Sequence, residues 1–237
     1  MLWRIVIVTL IAAGAVAAVF WLVPADERQA TRDIDYVRLA QTLTPKARAG
    51  EARAQFELAQ LYETGRGVAR DGAAAAEWYR RAAGQGFVRA QFALGQLYDK
   101  GEIVTADPLR AIRWYELAIR QGNLVEAKFA MGMLYYRGRG LLKDQGEAVT
   151  WFRRAAEQGH SCAQFLMGGV YEAGVMVERD PVAAYMWYTL AIPGRATCLA
   201  MNPRYDAVAA RARLVKRMTE FDVKKGEERA AAWRPRR

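Results

Sequence analysis

Side chains that commonly carry out chemistry are scarce in this sequence. His160 is the only histidine, and Cys162 and Cys198 are the only cysteines. A histidine relay needs a partner at hydrogen-bonding distance, and a structural zinc site needs about four ligands at short spacing. The sequence also lacks a nucleophile elbow, a Walker loop, and HExxH and S-x-x-K motifs. We therefore expect no catalytic residues, no metal site and no cofactor.

Proline is also scarce, with 7 residues, whereas 53% of the residues are hydrophobic and 25% are charged. This composition is typical of a folded chain with an apolar core and excludes disorder over most of the length. The formal net charge of +10 would indicate an anionic partner only if the basic side chains shared one surface. The length allows one domain and one membrane segment.

Long hydrophobic runs are absent except near the N-terminus, where residues 5–23 carry no charge. As a helix, this run would span about 28 Å, close to the hydrocarbon thickness of a bilayer. Trp3 and Trp21 lie near its ends, where indole rings favour the membrane interface. We predict a transmembrane anchor in segment 1–25, with the rest of the chain exported. A signal sequence cleaved after Ala25, which would release the protein to the periplasm, is the alternative.

The remaining sequence is internally repeated. Tryptophans recur at spacings of 36, 37 and 36 residues, at Trp78, Trp114, Trp151 and Trp187. Aligned on their first alanine, the units cover 54–89, 90–126, 127–162 and 163–194. A period of this length is typical of a helix pair that buries its apolar face only by stacking on its neighbours.

Each unit carries the signals of a helix-turn-helix. A glycine suited to ending the first helix is followed six residues later by an aspartate suited to capping the second; these pairs are Gly65 and Asp71, Gly101 and Asp107, Gly138 and Asp144, and Gly174 and Asp180. The second helix then repeats alanine, tryptophan and alanine at spacings of three and four, which predicts a buried stripe. The sequence therefore predicts an all-α fold, an α-solenoid of about four repeats.

At these residues the chain resembles the Sel1-like repeat family, relatives of tetratricopeptide repeats; the clearest copy is AQFALGQLYDKGEIVTADPLRAIRWYELAIRQG, Ala90 to Gly122. The resemblance implies a linker and leading half repeat in 26–53, with the helix-prone stretch 34–42 before the half repeat. It also implies an irregular loop, C-terminal capping helices and a basic tail in 195–237. One transmembrane helix would precede this array.

The resemblance implies that the first helices line a concave groove that holds a protein or peptide. By analogy with tetratricopeptide repeats, the candidate groove residues are Glu57, Gln60, Glu63, Gln96, Asp99, Lys100, Met133, Tyr136, Arg137 and Glu172. Phenylalanines recur at the third repeat position, at Phe56, Phe92, Phe129 and Phe165, where core packing and an aromatic strip in the groove are both open.

The implied function is a non-catalytic adaptor at the bacterial inner membrane, with the repeats in the periplasm and an envelope protein or peptide as partner. Because the groove is mixed in charge rather than basic, we expect no nucleic acid. The tail could contact anionic lipid through Lys216, Arg217, Lys224, Lys225, Arg234, Arg236 and Arg237. The alternative is a secreted hydrolase of cell-wall or β-lactam substrates, as suggested for relatives with paired cysteines in each repeat, which this chain lacks.

The two cysteines lie one repeat length apart. In strict repeat register, their α-carbons would be about 9–10 Å apart, beyond the ~7 Å limit for a disulfide. Cys198, however, follows the irregular stretch that begins at Pro193, so this constraint does not bind it. A Cys162–Cys198 bridge and two buried thiols both remain open.

Overall fold

The computed structural model describes residues 25–138 and 143–236, and their side chains from residue 34 onward. The predicted membrane segment and Arg237 lie outside this range. No helix within it combines the length and the apolar character needed to cross a bilayer.

All the regular structure in the described residues is helical. The helices are α1 Ala25–Arg48, α2 Ala52–Thr64, α3 Gly72–Gly84, α4 Val88–Lys100, α5 Pro108–Gly122, α6 Val125–Arg137, α7 Gln145–Glu157, α8 Ser161–Ala173, α9 Pro181–Ala191, α10 Arg195–Met201, α11 Ala207–Val215 and α12 Glu220–Ala232. They form two compact units, one ending at Ala82 and the other running from Ala83 to Arg237. The fold is an all-α repeat solenoid, as predicted.

The predicted helix ends are confirmed. The four glycines after α2, α4, α6 and α8 adopt left-handed conformations, with φ of 72°, 67°, 67° and 73°. Each aspartate accepts a hydrogen bond from a backbone N–H in the first turn of the next helix, at 2.9 or 3.0 Å. Glycine adopts positive φ without steric cost, and an aspartate oxygen satisfies an N–H that has no partner inside the helix. Local sequence therefore sets the length of each helix.

The predicted tryptophan stripe is wrong in part. Trp78, Trp114 and Trp151 are only half-buried, although Trp187 and the flanking alanines are buried. The core aromatic is the residue after each tryptophan: Tyr79, Tyr115, Phe152 and Tyr188, at 1–3% exposure. Each of these rings lies 5.6–5.8 Å from the phenylalanine at the third position of its own repeat. The recurring phenylalanines thus pack between the two helices of a repeat.

Each repeat carries a buried polar side chain at its second position that bonds to the end of the preceding helix, a feature that was not predicted. Gln55 donates through Nε2 to the Ala47 carbonyl at 3.0 Å, and Gln164 donates to the Ala156 carbonyl at 3.3 Å. Gln91 does the same to Ala83 at 3.2 Å. Each of these carbonyls lies near a helix C-terminus and also accepts from the backbone N–H of the glycine three residues on, so the glutamine adds a second bond from the next repeat. The third repeat has Lys128 instead, and burial lowers the pKa of its ammonium group.

The N-terminal region differs from the prediction of a separate stretch before a half repeat. A single helix, α1, runs from Ala25 to Arg48 and contains Pro45. Pro45 removes the donor for the carbonyl of Gln41, which is an exposed residue, so water can replace the lost bond. Ala40, Leu43 and Ala47 of this helix pack against α2.

The stretch after Pro193 was predicted as an irregular loop, but it contains a 3-10 turn, Ile192–Gly194, followed directly by α10. Cys198 on α10 forms a disulfide with Cys162 on α8, with a Cα–Cα distance of 5.3 Å. Because α10 lies outside the repeat register, Cys198 is not held at the spacing of about 9–10 Å between neighbouring repeats and comes within disulfide distance of Cys162.

Two further helices cap the last repeat. Helices α11 and α12 both pack against α9. Thr219 caps α12 by accepting from the Asp222 N–H at 3.1 Å, while its hydroxyl donates to the Asp222 carboxylate at 2.8 Å. Arg229 of the same helix pairs with Asp180 at 3.3 Å. The C-terminal helices therefore cover α9, the second helix of the fourth repeat.

Candidate functional site

In the first unit, the three candidate groove residues lie on α2 and differ in availability. Glu57 is half-buried and pairs with Arg53 at 2.7 Å, whereas Gln60 is exposed. Glu63 accepts a 2.6 Å hydrogen bond from the Tyr79 hydroxyl. Burial and this contact raise the pKa of Tyr79, so the hydroxyl stays a donor at any ordinary pH. Glu63 therefore holds the two helices of its repeat together.

The equivalent acids of the second unit are similarly placed. Glu172 accepts from the Tyr188 hydroxyl at 2.8 Å and also pairs with Arg217 of the C-terminal region. Asp99 is half-buried. The pKa of Tyr115 is raised mainly by the burial of its own hydroxyl and, secondly, by the negative charge of Asp99. These acids serve packing between helices. Of the two other candidates in the second repeat, Gln96 is half-buried and Lys100 is exposed.

The third repeat breaks this pattern. Tyr136 occupies the position held by Glu63, Asp99 and Glu172, and Phe152 occupies the position of the tyrosine donor. The hydroxyl–carboxylate pair is thus lost from both sides at once. The Tyr136 ring lies 6.4 Å from that of Phe152 and remains 49% exposed. The loss of the acid thus leaves an exposed aromatic ring.

One basic side chain contacts this ring, and a second follows it in sequence. Lys143 places its Nζ 5.6 Å from the centre of the Tyr136 ring, and Arg137 is exposed beside it in sequence. Tyr205, from the turn after α10, stacks on Phe165 at 5.1 Å. Burial is the main cause of the raised pKa of Tyr205. Tyr136 raises this pKa further and Arg137 lowers it, so both residues lie near Tyr205. We call Tyr136, Arg137, Lys143 and Tyr205 the aromatic–basic surface.

The predicted groove residues are thus not equivalent. Met133 is 7% exposed and belongs to the core with Phe129 and Phe152, so it does not line a surface. Tyr136 and Arg137 are exposed as expected. Lys143 and Tyr205 were not among the predicted residues, because Lys143 lies in the helix-to-helix turn and Tyr205 in a segment outside the repeats. The sequence did carry one signal of this surface: only the third repeat has Tyr136 in place of the acid and Phe152 in place of the tyrosine.

His160 has a structural role. Its Nδ1 accepts from the Ala163 N–H at 3.2 Å, which caps α8, and its ring stacks on Phe129 at 4.2 Å. Burial lowers the pKa of the imidazole. No cluster of metal-binding side chains occurs in the part of the chain that the structure describes.

Basic side chains of two second helices lie over tryptophans of their own helix. Arg81 and Arg154 lie over the rings of Trp78 and Trp151 at 4.8 and 4.6 Å. The guanidinium groups shield one face of each indole ring from water, which is consistent with the partial burial of Trp78 and Trp151. Shallow depressions of about 420 and 310 Å³ lie on α5 and between α5 and α7; both are lined by Arg120.

The basic tail makes intramolecular contacts. Arg236 pairs with Glu157 at 2.9 Å, and Arg234 donates to backbone carbonyls near the end of α12. Lys216, Lys224 and Lys225 are exposed.

The Sel1 repeat model matches residues 52–87, 88–123, 125–160 and 163–192. Among solved structures, the chain is similar to a Sel1 repeat protein from Oxalobacter formigenes, with 34% identity over 67% of this chain and 46% of that one and a TM-score of 0.58. It is also similar to a protective antigen from uropathogenic Escherichia coli, with 30% identity over 82% of this chain and 48% of that one and a TM-score of 0.47. The chain thus spans about half the length of both proteins. No curated protein matches it.

Proposed function

Because the chain belongs to the Sel1-repeat family, whose members are generally protein-interaction scaffolds, we propose that it is a non-catalytic adaptor that binds a protein or peptide on its first-helix face. The aromatic–basic surface is the observation that carries this proposal. Tyrosine and arginine are enriched at the centres of protein interfaces, and Tyr136 and Arg137 are both exposed here. In the first and fourth repeats, the position of Tyr136 holds an acid that packs the two helices together.

We further propose that residues 5–23 anchor the adaptor in the bacterial inner membrane, with the repeats in the periplasm. Two observations support this location. The run is uncharged and long enough for a bilayer. The Cys162–Cys198 disulfide fits an oxidising compartment, because cytosolic reductants keep most protein thiols reduced. The side chains of Lys216, Lys224 and Lys225 are exposed, and we propose that they contact anionic lipid headgroups of the same membrane.

Site-specific photocrosslinking tests the binding face. Benzoylphenylalanine replaces Tyr136 in the full chain in native membranes, and Arg113, which is exposed on α5, is the matched control position. We expect a discrete protein adduct from position 136 and none of that mass from position 113. Absence of an adduct at 136, or an equal yield of the same adduct at 113, would place binding elsewhere.

A further inference from the structure

The third repeat is specialised for a chemical class of partner, and this inference rests on the proposed adaptor function. We infer that the aromatic–basic surface binds an acidic peptide segment that carries an apolar or aromatic side chain. Tyr136 supplies an exposed ring, and Arg137 and Lys143 supply the cations beside it.

The two cations are available for an external acid. Among the residues that the structure describes, neither Arg137 nor Lys143 forms a salt bridge. A carboxylate that reached either cation would gain a charge-assisted hydrogen bond that the free protein does not make. Arg204, in the turn that carries Tyr205, is also exposed.

Other repeats use the position of Lys143 differently. Arg70 and Arg179 occupy it in the first and fourth repeats, and each donates through Nε to a first-helix backbone carbonyl at 3.2 Å, that of Glu63 or Glu172. Those arginines therefore close their own repeats. The third repeat lacks this acid, this tyrosine and this arginine. Tyr136, Phe152 and Lys143 occupy the three positions instead.

The extent of the charge indicates a peptide. Asp99 and Glu172 occupy the corresponding positions of the repeats on either side of Tyr136. A continuous polyanion such as a nucleic acid would bring phosphates towards these acids, where like charges repel. A peptide with a few carboxylates around one apolar residue matches a cationic patch one repeat wide, and the Tyr136 ring offers that residue a stacking partner.

The test measures fluorescence anisotropy of labelled peptides with the full chain in non-ionic detergent micelles. The probes are EEFEE, QQFQQ, KKFKK and EEAEE. We expect EEFEE to bind at least about tenfold more tightly than QQFQQ or KKFKK, and EEAEE to lose affinity because its apolar anchor is gone. Added salt should weaken the binding of EEFEE.

The decisive variant is the double substitution Tyr136→Glu with Phe152→Tyr. It rebuilds the hydroxyl–carboxylate pair of the first and fourth repeats and should leave the melting temperature near that of the wild type, while EEFEE loses affinity by at least about tenfold. Lys143→Ser, an exposed change outside the core, should weaken binding without altering stability. Arg113→Ser on α5 removes the same charge from the other face and should leave binding unchanged.

Unchanged EEFEE affinity in the double variant or in Lys143→Ser would overturn the inference, as would equal binding of QQFQQ or KKFKK. This failure is distinguishable from failure of the adaptor proposal. If position 136 still gives a specific photoadduct while the acidic probe is not preferred, the protein is an adaptor whose partner is not acidic at this surface.

Discussion

Removing the Cys162–Cys198 disulfide should lower the free energy of unfolding by about 4 kcal/mol at 25 °C. The bridge joins residues 36 apart, and the chain-entropy model assigns about that value to a loop of this length. Alanine at both positions suits the site, because Cys162 and Cys198 are 2% and 1% exposed in an apolar core. For a chain of this size, the loss corresponds to a fall of about 8–16 °C in melting temperature.

The loss should be concentrated at the C-terminal end. The bridge ties α10 to α8 and encloses α9, on which α11 and α12 pack. In repeat arrays each element is stabilised by its neighbours, so weakening this tie opens the end before the centre. Amide hydrogen exchange should therefore accelerate in α10–α12 of Cys162→Ala/Cys198→Ala and change little in α4 and α5.

The assay is urea unfolding of the full chain in detergent, followed by circular dichroism, with and without reductant. Reductant should lower the midpoint of the wild type and leave that of the double alanine variant unchanged. A wild-type midpoint insensitive to reductant would refute the reasoning. So would two reactive thiols per chain in unfolded, unreduced protein.

Phe152→Ala should cost about 3–5 kcal/mol and Trp151→Ala clearly less, because Phe152 is 3% exposed and Trp151 is half-buried; equal costs in urea unfolding would contradict this assignment. Acidification through the ordinary histidine pKa of about 6.5 should destabilise the wild type, since burial lowers the pKa of His160 and the unfolded chain therefore takes up the proton first. His160→Asn, which keeps a capping side chain, should lose this part of the pH dependence of the melting temperature; an unchanged dependence would assign it to another group. Alkaline phosphatase fused after Arg237 should be active if the repeats are exported, and an inactive fusion would contradict the proposed topology.

The helix ends could be predicted because their signals are local. A glycine such as Gly101 and an aspartate such as Asp107 fix the backbone within one turn, whatever packs against them. The core residues were harder to predict, because the buried face of a helix includes more than one row of side chains. Trp151 and Phe152 are adjacent and both apolar, and only the packed helices show that Phe152 lies inside.

The candidate site was predictable only in part. The exposure of Tyr136 and Arg137 follows from their place on a first helix. Met133 turns into the core because the third repeat has an apolar side chain where the first two repeats have Gln60 and Gln96. Tyr205 could not be found from the repeat pattern. Its position depends on α10, a helix with no counterpart in the other repeats.

The buried side chain at the second repeat position makes the array extensible. Gln164, for example, needs only a carbonyl from the last turn of the preceding helix, here that of Ala156. A whole unit inserted at such a junction brings its own amide and presents its own terminal carbonyl to the next, so both connections re-form with no change elsewhere in the sequence. We therefore expect duplication or deletion of a whole unit at a glutamine junction to preserve the fold, and a shift of one residue to break the junction. The third repeat is the exception, because Lys128 replaces the glutamine and donates to the side chains of Asn123 and Gln158.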